Sequence, residues 1–475
     1  MARYVIPYFE GVDESLGELA GNAASAREAR NVSTDHGRLA SAAGFAPYID
    51  TPVPGTPGSL YVFCETDSAG VRTEYVVAGT GDRVLVWRQN AWRTLFQGTA
   101  GGWGFLSYKK NDDSILIFGN GVDPVQCWDG QAEASSALQG APAKGKYFAL
   151  HYERVWMCGD AENPDRLYYS RMLDPNDWTG SVDTPETGGG FVDLPTFDGG
   201  VITNLYGVGS DLCILKSTTA LLLYGTSPEN YQVMRMTGEM GTIAGRTAAV
   251  YGQTGYFVAA QGIGVQSGTT IVLLDDRKLP RLFDKTYCQE ENCPERLSEG
   301  FGATAAGVCF GERLWFSLPV GDSAVNNLLL EYDLTRETYA LHDGIGAVGF
   351  ARAGRMREKL LALCGDGIVR VLGGGAPAAA RWTTPWMDFG ANREKVLCQV
   401  SLYGRMRAAQ GLPCVRLTVE SERGSKQRLL ITGRREDRLI QRRLRLGGRR
   451  FRIIIDSAPG TQFCFSGGLE IETEG

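Results

Sequence analysis

The chain has 475 residues, with 48 Lys and Arg against 54 Asp and Glu, a formal net charge of −6. That length exceeds the usual size of one hydrophobic core and points to two domains. Its 62 Gly, 19 Tyr, 19 Phe and 9 Trp suit glycine turns between aromatic and β-branched strands; no apolar stretch approaches a membrane span and no long amphipathic helical pattern is present, which excludes a helical membrane protein and a helix bundle.

The opening Met-Ala-Arg-Tyr-Val-Ile-Pro-Tyr lacks the apolar run of a secretory leader, so folding in a cytosol is expected. Ala, Glu and Arg cluster between Leu19 and Arg30, the best candidate for a short helix. Ala29 to Tyr48 reads as a strand-like segment, expected to complete the last unit of the repeat that follows. In that repeat a hydrophobic strand runs to a Gly, Asp or Asn turn and a second strand returns. Units begin near Leu60, Gly104, Phe148, Ile202, Ala248, Ala305 and Ala347. Successive starts lie roughly 42 to 57 residues apart, the span of four short strands in a propeller blade. Such a unit cannot bury its apolar faces alone, and radial closure supplies neighbours on both sides. The expected fold is all-β: a β-propeller of about seven blades over residues 60–382. An N-terminal segment, 1–59, closes it, and a small basic C-terminal β-sandwich, 383–475, follows. The boundary is set by the Gly/Ala/Pro stretch Gly373 to Arg381.

Catalytic chemistry has little to draw on. The three histidines, His36, His151 and His342, form no His-Glu-x-x-His pattern and lie near no Cys pair. No Gly-x-Ser-x-Gly elbow is present, Val371 to Ala376 lacks the Lys-Ser/Thr ending of a phosphate loop, and Gly207 and Gly209 precede a strand instead of a helix. No catalytic, cofactor-binding or metal-binding residue is therefore assigned. Asp174, Asp177 and Trp178, with Glu162 nearby, faintly resemble a sialidase Asp box. The Ser170-to-Asp174 spacing is wrong for that box and the motif does not recur, so turn formation is the simpler reading. Nine of the eleven Cys are scattered singly through apolar patterns and read as small hydrophobes. Cys288 and Cys293 lie close together in a polar loop, where free thiols and a loop disulfide both stay open. Trp87, Trp92, Trp103, Trp128, Trp156, Trp178 and Trp315 fall within strand patterns and read as core.

Longer motifs carry a resemblance. Arg154 to Gly159 is a strand ending in Gly; Asn163-Pro164, Arg166-Leu-Tyr168-Tyr169-Ser170, Asp174-Pro175 and Asp177-Trp178 follow. This series resembles a blade segment of bacteriophage tail proteins. Ala29-Arg30-Asn31, Gly37-Arg-Leu39 and Gly44-Phe45 resemble the opening strand of that family. Asp198-Gly199 to Thr203, Leu212 to Lys216 and Leu222 to Gly225 resemble a further blade. Arg442 to Ile455 and Phe465 to Ile471 resemble the sandwich of nozzle, or packaged-DNA-stabilisation, proteins of short-tailed phages. The resemblance implies a structural virion protein without enzymatic activity. Its partners would be itself, in a hexameric ring, and neighbouring tail or connector proteins; DNA would pass without sequence-specific binding, and no membrane is involved. Ser181 to Gly190 and Asp275 to Glu295, both longer than a hairpin turn, are candidate channel loops. The alternative is a carbohydrate- or receptor-binding propeller of the tail tip, for which exposed aromatic platforms would be needed.

Charge divides the chain. Between Arg393 and Arg452 stand 17 Lys and Arg against 5 Asp and Glu, a balance of +12, which leaves −18 for the remainder. Arg442, Arg443, Arg445, Arg449 and Arg450 are the candidate assembly contacts. Solvated strand edges, docking on an acidic neighbour and direct DNA contact compete as explanations.

Overall fold

A computed structural model describes residues 2–17, 19, 21–66, 70–110, 113–142, 144–194, 200–274, 277–291, 293–390, 392–408, 414–432 and 436–474. Five four-stranded antiparallel sheets start at Pro57, Gly104, Tyr147, Ile202 and Ala249, and further sheets begin at Ala306 and Ala347. In several of these sheets the second strand is almost wholly apolar. Val155 to Cys158, Leu212 to Leu215 and Leu360 to Cys364 are buried along their whole length. A strand with another sheet packed on each face has no polar side, so period-2 alternation gives way to a continuous run.

The last of these sheets has four strands of its own, Ala347–Ala353, Lys359–Cys364, Val369–Leu372 and the two-residue Gly374–Gly375. A further strand comes from far upstream: Gly44–Ile49 inserts between Val369–Leu372 and Gly374–Gly375 and pairs antiparallel with both. Ile49, Leu60, Val76, Leu361 and Val369 then form one buried cluster between this sheet and the one that starts at Pro57. That contact closes the β-propeller, with Ala347–Ala353 lying against Pro57–Thr66 near the axis. The inner strands nearly touch. A Cβ at Gly349 would stand 2.7 Å from the Leu60 nitrogen, and one at Gly104 would stand 1.9 Å from the Lys146 oxygen. Glycine is required there because backbone occupies the side-chain position.

The N-terminal segment is shared between two destinations. Gly44–Ile49 supplies a strand to the last propeller sheet. Ala2–Ile6 and Leu39–Ser41 pair with the C-terminal strand Thr461–Glu474 in a six-stranded sheet, together with Val32–Ser33, Lys395–Ala408 and Arg438–Gly448. Glu28–Arg30 pairs with Arg381–Thr383 and, in parallel, with the Ala306 sheet through Leu341. That sheet continues through Phe451–Ser457, Cys414–Ser421 and Lys426–Thr432. One nine-stranded sheet thus runs from the propeller into the tail, and a limit between residues 382 and 383 would cut the strand Arg381–Thr383.

No helix forms among the described residues of 19–30; Glu28–Arg30 is a strand instead. Ala29 sits opposite Trp382, whose ring is fully buried against Phe9 and whose indole N–H donates to the Glu10 carbonyl at 3.1 Å. The small Ala29 side chain leaves room for that ring, and tertiary pairing overrides the segment's helix preference. Charged contacts reinforce the join: Arg313 binds Glu331 at 2.5 Å and also Asp35, His342 lies 2.7 Å from Glu331, and Arg30 reaches Asp343 at 2.6 Å.

Candidate assembly surface

Arg438–Gly448 is the end strand of the six-stranded sheet, and its ladder partner among the described residues is Lys395–Ala408. Strand alternation sorts its side chains. Ile440, Leu444 and Leu446 are buried, whereas Leu439, Gln441, Arg443 and Arg445 point outward. Arg442 belongs to the inward row and is half-buried, so the five candidate arginines do not form one cluster.

Their partners differ too. The Arg442 guanidinium donates to the Leu430 carbonyl at 3.3 Å, and Gln427 clasps the Arg445 backbone, donating to its carbonyl at 3.0 Å and accepting from its N–H at 3.1 Å. Both contacts reach across from Lys426–Thr432, the end strand of the other tail sheet, and cover an otherwise open edge. The Glu422 carboxylate accepts the backbone N–H groups of Arg449 and Arg450 at 2.8 and 2.9 Å. Burial pushes that carboxyl up, but these two donors outweigh it and hold the group below its ordinary range. The Arg449 guanidinium pairs with Glu394 at 3.2 Å. Arg443 and Arg445 remain exposed, their guanidinium groups without a hydrogen-bond or ion-pair partner among the described residues. Leu439 and Tyr403 stand opposite each other on the same face, 56% and 47% exposed. Two arginines beside an exposed Tyr–Leu pair make an interface-like composition, which the sequence reading of charge alone did not include.

The other sequence candidates separate. Asp177 accepts from the Thr179 hydroxyl and N–H at 2.7 and 3.0 Å, and these bonds, with Arg171, hold its carboxyl below the ordinary value. A glycosidase acid needs the opposite shift. Asp174 accepts the Asn176 N–H, Trp178 is buried with its indole donating to the Pro175 carbonyl at 2.7 Å, and Glu162 pairs with Lys144 at 2.5 Å. These residues build turns. No three His, Cys, Asp or Glu among the described residues are grouped to hold a metal. All eleven cysteines are free thiols, Cys288 and Cys293 included, and burial pushes the Cys288 thiol up to about 12.

Of the two candidate loops, 181–190 is held from beneath. Arg154, fully buried, donates to the carbonyls of Ser170, Thr187, Gly188 and Glu186 at 2.6 to 3.1 Å. No sequence signal marked Arg154 for this role, since its acceptors are backbone atoms. The 275–295 stretch contains two short helices, Pro280–Phe283 and Lys285–Glu291, with the Asp284 carboxylate accepting the N–H groups of Thr286 and Tyr287; Asp275, Asp276 and Asn292 lie outside the described residues. Asp198 and Gly199, from the blade resemblance, lie outside them as well. Trp103, Trp128, Trp156, Trp178 and Trp315 are buried, and Trp87 and Trp92 are half-buried in edge-to-face contact.

No known family model matches the sequence, and no curated protein does. Among solved structures the chain is similar to Saccharomyces cerevisiae Sqt1, at 10% identity and a TM-score of 0.40 over 78% of this chain and 99% of that one. It is also similar to the Neurospora crassa Pan2 WD40 domain, at 9% identity and a TM-score of 0.41 over 70% and 95% of the two chains.

Proposed function

We propose that the protein is a structural subunit of a phage tail, forming a nozzle or neck ring around the DNA channel. In this reading the propeller has seven blades, the tail is a β-sandwich, and the chain has no catalytic role. The ring forms when the basic tail of one copy docks on the acidic propeller of the next. A head-to-tail contact of that kind closes into a ring when its rotation divides the circle. Six copies is the number that the resemblance to short-tailed-phage proteins implies.

The observation that carries this reading is the outer face of Arg438–Gly448. Arg443 and Arg445 stand exposed there beside Leu439 and Tyr403, and the residues outside 393–452 sum to −18. Opposite potentials steer encounter and fix register, while Tyr and Leu supply apolar area. The nine-stranded sheet joins propeller and tail by continuous strand pairing, which suits a wall subunit.

Mass photometry of the purified chain, alone and with a neighbouring tail protein, tests it. A single high-mass species that breaks down to monomer at high salt, and in the Arg443→Glu/Arg445→Glu variant, is expected. A monomer under all these conditions overturns the ring. Turnover of sialosides or peptidoglycan that disappears in Asp177→Asn would overturn the non-catalytic reading.

A further inference from the structure

The axis of the propeller holds a cavity of about 300 Å³ whose lining includes Tyr61, Phe105, Lys146, Asn204, Arg246 and Phe350. Two of its lining residues are cationic and none is acidic. The Arg246 guanidinium donates to the Gly58 carbonyl at 2.6 Å and to the Ala303 carbonyl at 2.9 Å. These bonds tie together strands and loops far apart in the chain and leave the positive charge without a carboxylate among the described residues. The Lys146 ammonium lies 5.3 Å from the centre of the Tyr147 ring and against Gly102, where an added Cβ would stand 3.2 Å away. It has no hydrogen-bond or ion-pair partner among the described residues.

Two like charges in one partly dehydrated cavity repel, and each loses hydration that carbonyl dipoles and an aromatic ring only partly replace. Burial lowers the proton affinity of both groups, and Arg246 lowers that of Lys146 further. Burial also pushes the Tyr147 hydroxyl up to about 12, so that ring supplies no counter-charge near neutral pH. A bound anion would offset this repulsion.

We propose that the axial cavity is a binding site for one small inorganic oxyanion of the phosphate or sulfate class, held between Lys146 and Arg246. Its volume leaves room for the ion and several waters at about 30 Å³ each. The Arg246 N–H groups left after its bonds to the Gly58, Val348 and Ala303 carbonyls, with the three donors of the Lys146 ammonium, favour an oxyanion with several acceptor oxygens over a halide. This site is independent of the assembly surface, which lies on the tail.

The test is calorimetric titration of the full chain with sodium phosphate, beside thermal unfolding in phosphate and in sodium chloride at equal ionic strength. Binding and a higher Tm in phosphate than in chloride are expected. Lys146→Met should bind phosphate at least tenfold more weakly and gain stability in chloride, because one of two repelling charges is gone. Lys144→Met, which removes a half-exposed lysine paired with Glu162, should bind as the parent does. Arg246→Met can fail to fold through its lost carbonyl bonds, so Lys146→Met carries the decision. Equal behaviour in phosphate and chloride, or unchanged phosphate affinity in Lys146→Met, overturns the proposal; if Lys146→Met does not fold, the parent titration alone decides.

Discussion

The propeller and the tail bury their strands by different rules. In the propeller, Val155 to Cys158 or Leu360 to Cys364 has a neighbouring sheet on each face, so the sequence there is apolar at every position. In the tail, Phe451–Ser457 buries every second residue, and Arg438–Gly448 alternates the same way with Ile440, Leu444 and Leu446 buried and Arg442 half-buried in the inward row. The propeller repeats a unit that any adjacent unit can cover, whereas the tail is assembled from strands at both chain ends. Residues 2–41 supply strands to it, and Thr461–Glu474 forms the middle of its six-stranded sheet. One region is a local repeat; the other depends on contacts across more than 400 residues.

The strongest test of that difference removes residues 1–50. It strips the last propeller sheet of Gly44–Ile49 and the tail of its N-terminal strands together, so we expect insoluble protein. A soluble product with unchanged thermal unfolding would show that the two regions are closed without the N-terminus. Trp382→Ala attacks only the join. Loss of a fully buried indole packed on Phe9 should lower stability by about 3–5 kcal/mol in denaturant unfolding. Arg154→Met attacks only the propeller, removing the donor to four carbonyls, and should lower stability by roughly 3–4 kcal/mol and expose 181–190 to protease.

Glu14 gives a pH handle on the contact between the N-terminal segment and Pro280–Phe283. Burial raises its carboxyl from 4.5 to about 7, against the opposing charge of Arg281 3.4 Å away. The folded state therefore keeps a proton that the unfolded chain releases. Its contribution is fully present below pH 4.5 and is lost as pH rises through about 7, with a ceiling of about 3 kcal/mol. Glu14→Gln should flatten stability between those values, and an unchanged pH slope in chemical unfolding would refute the assignment. The smallest change in stability belongs to Arg443→Glu/Arg445→Glu. These exposed charges should alter unfolding by no more than about 0.5 kcal/mol, while changing assembly in a salt-dependent way over the ~8 Å screening length of physiological buffer.

The propeller was legible in the sequence because its physics is local. Each unit signals itself through strand, turn and return, and the seven starts read from the sequence lie within three residues of strands that begin at Pro57, Gly104, Tyr147, Ile202, Ala249, Ala306 and Ala347. Alternation in Arg443-Leu444-Arg445-Leu446 likewise placed two arginines on one face. What stayed hidden was every feature fixed by a partner distant in the chain. Ala29 reads as a helix former until Trp382 lies across from it, and Arg442 reads like Arg443 until Leu430 accepts its hydrogen bond. Lys146 and Arg246, a hundred residues apart, share a cavity only because the propeller brings the segments that lead into two of its sheets to one axis. Sequence determined which segments pair with their own neighbours; tertiary structure alone decided where isolated charges and small residues meet, since closure, not chain proximity, sets those distances.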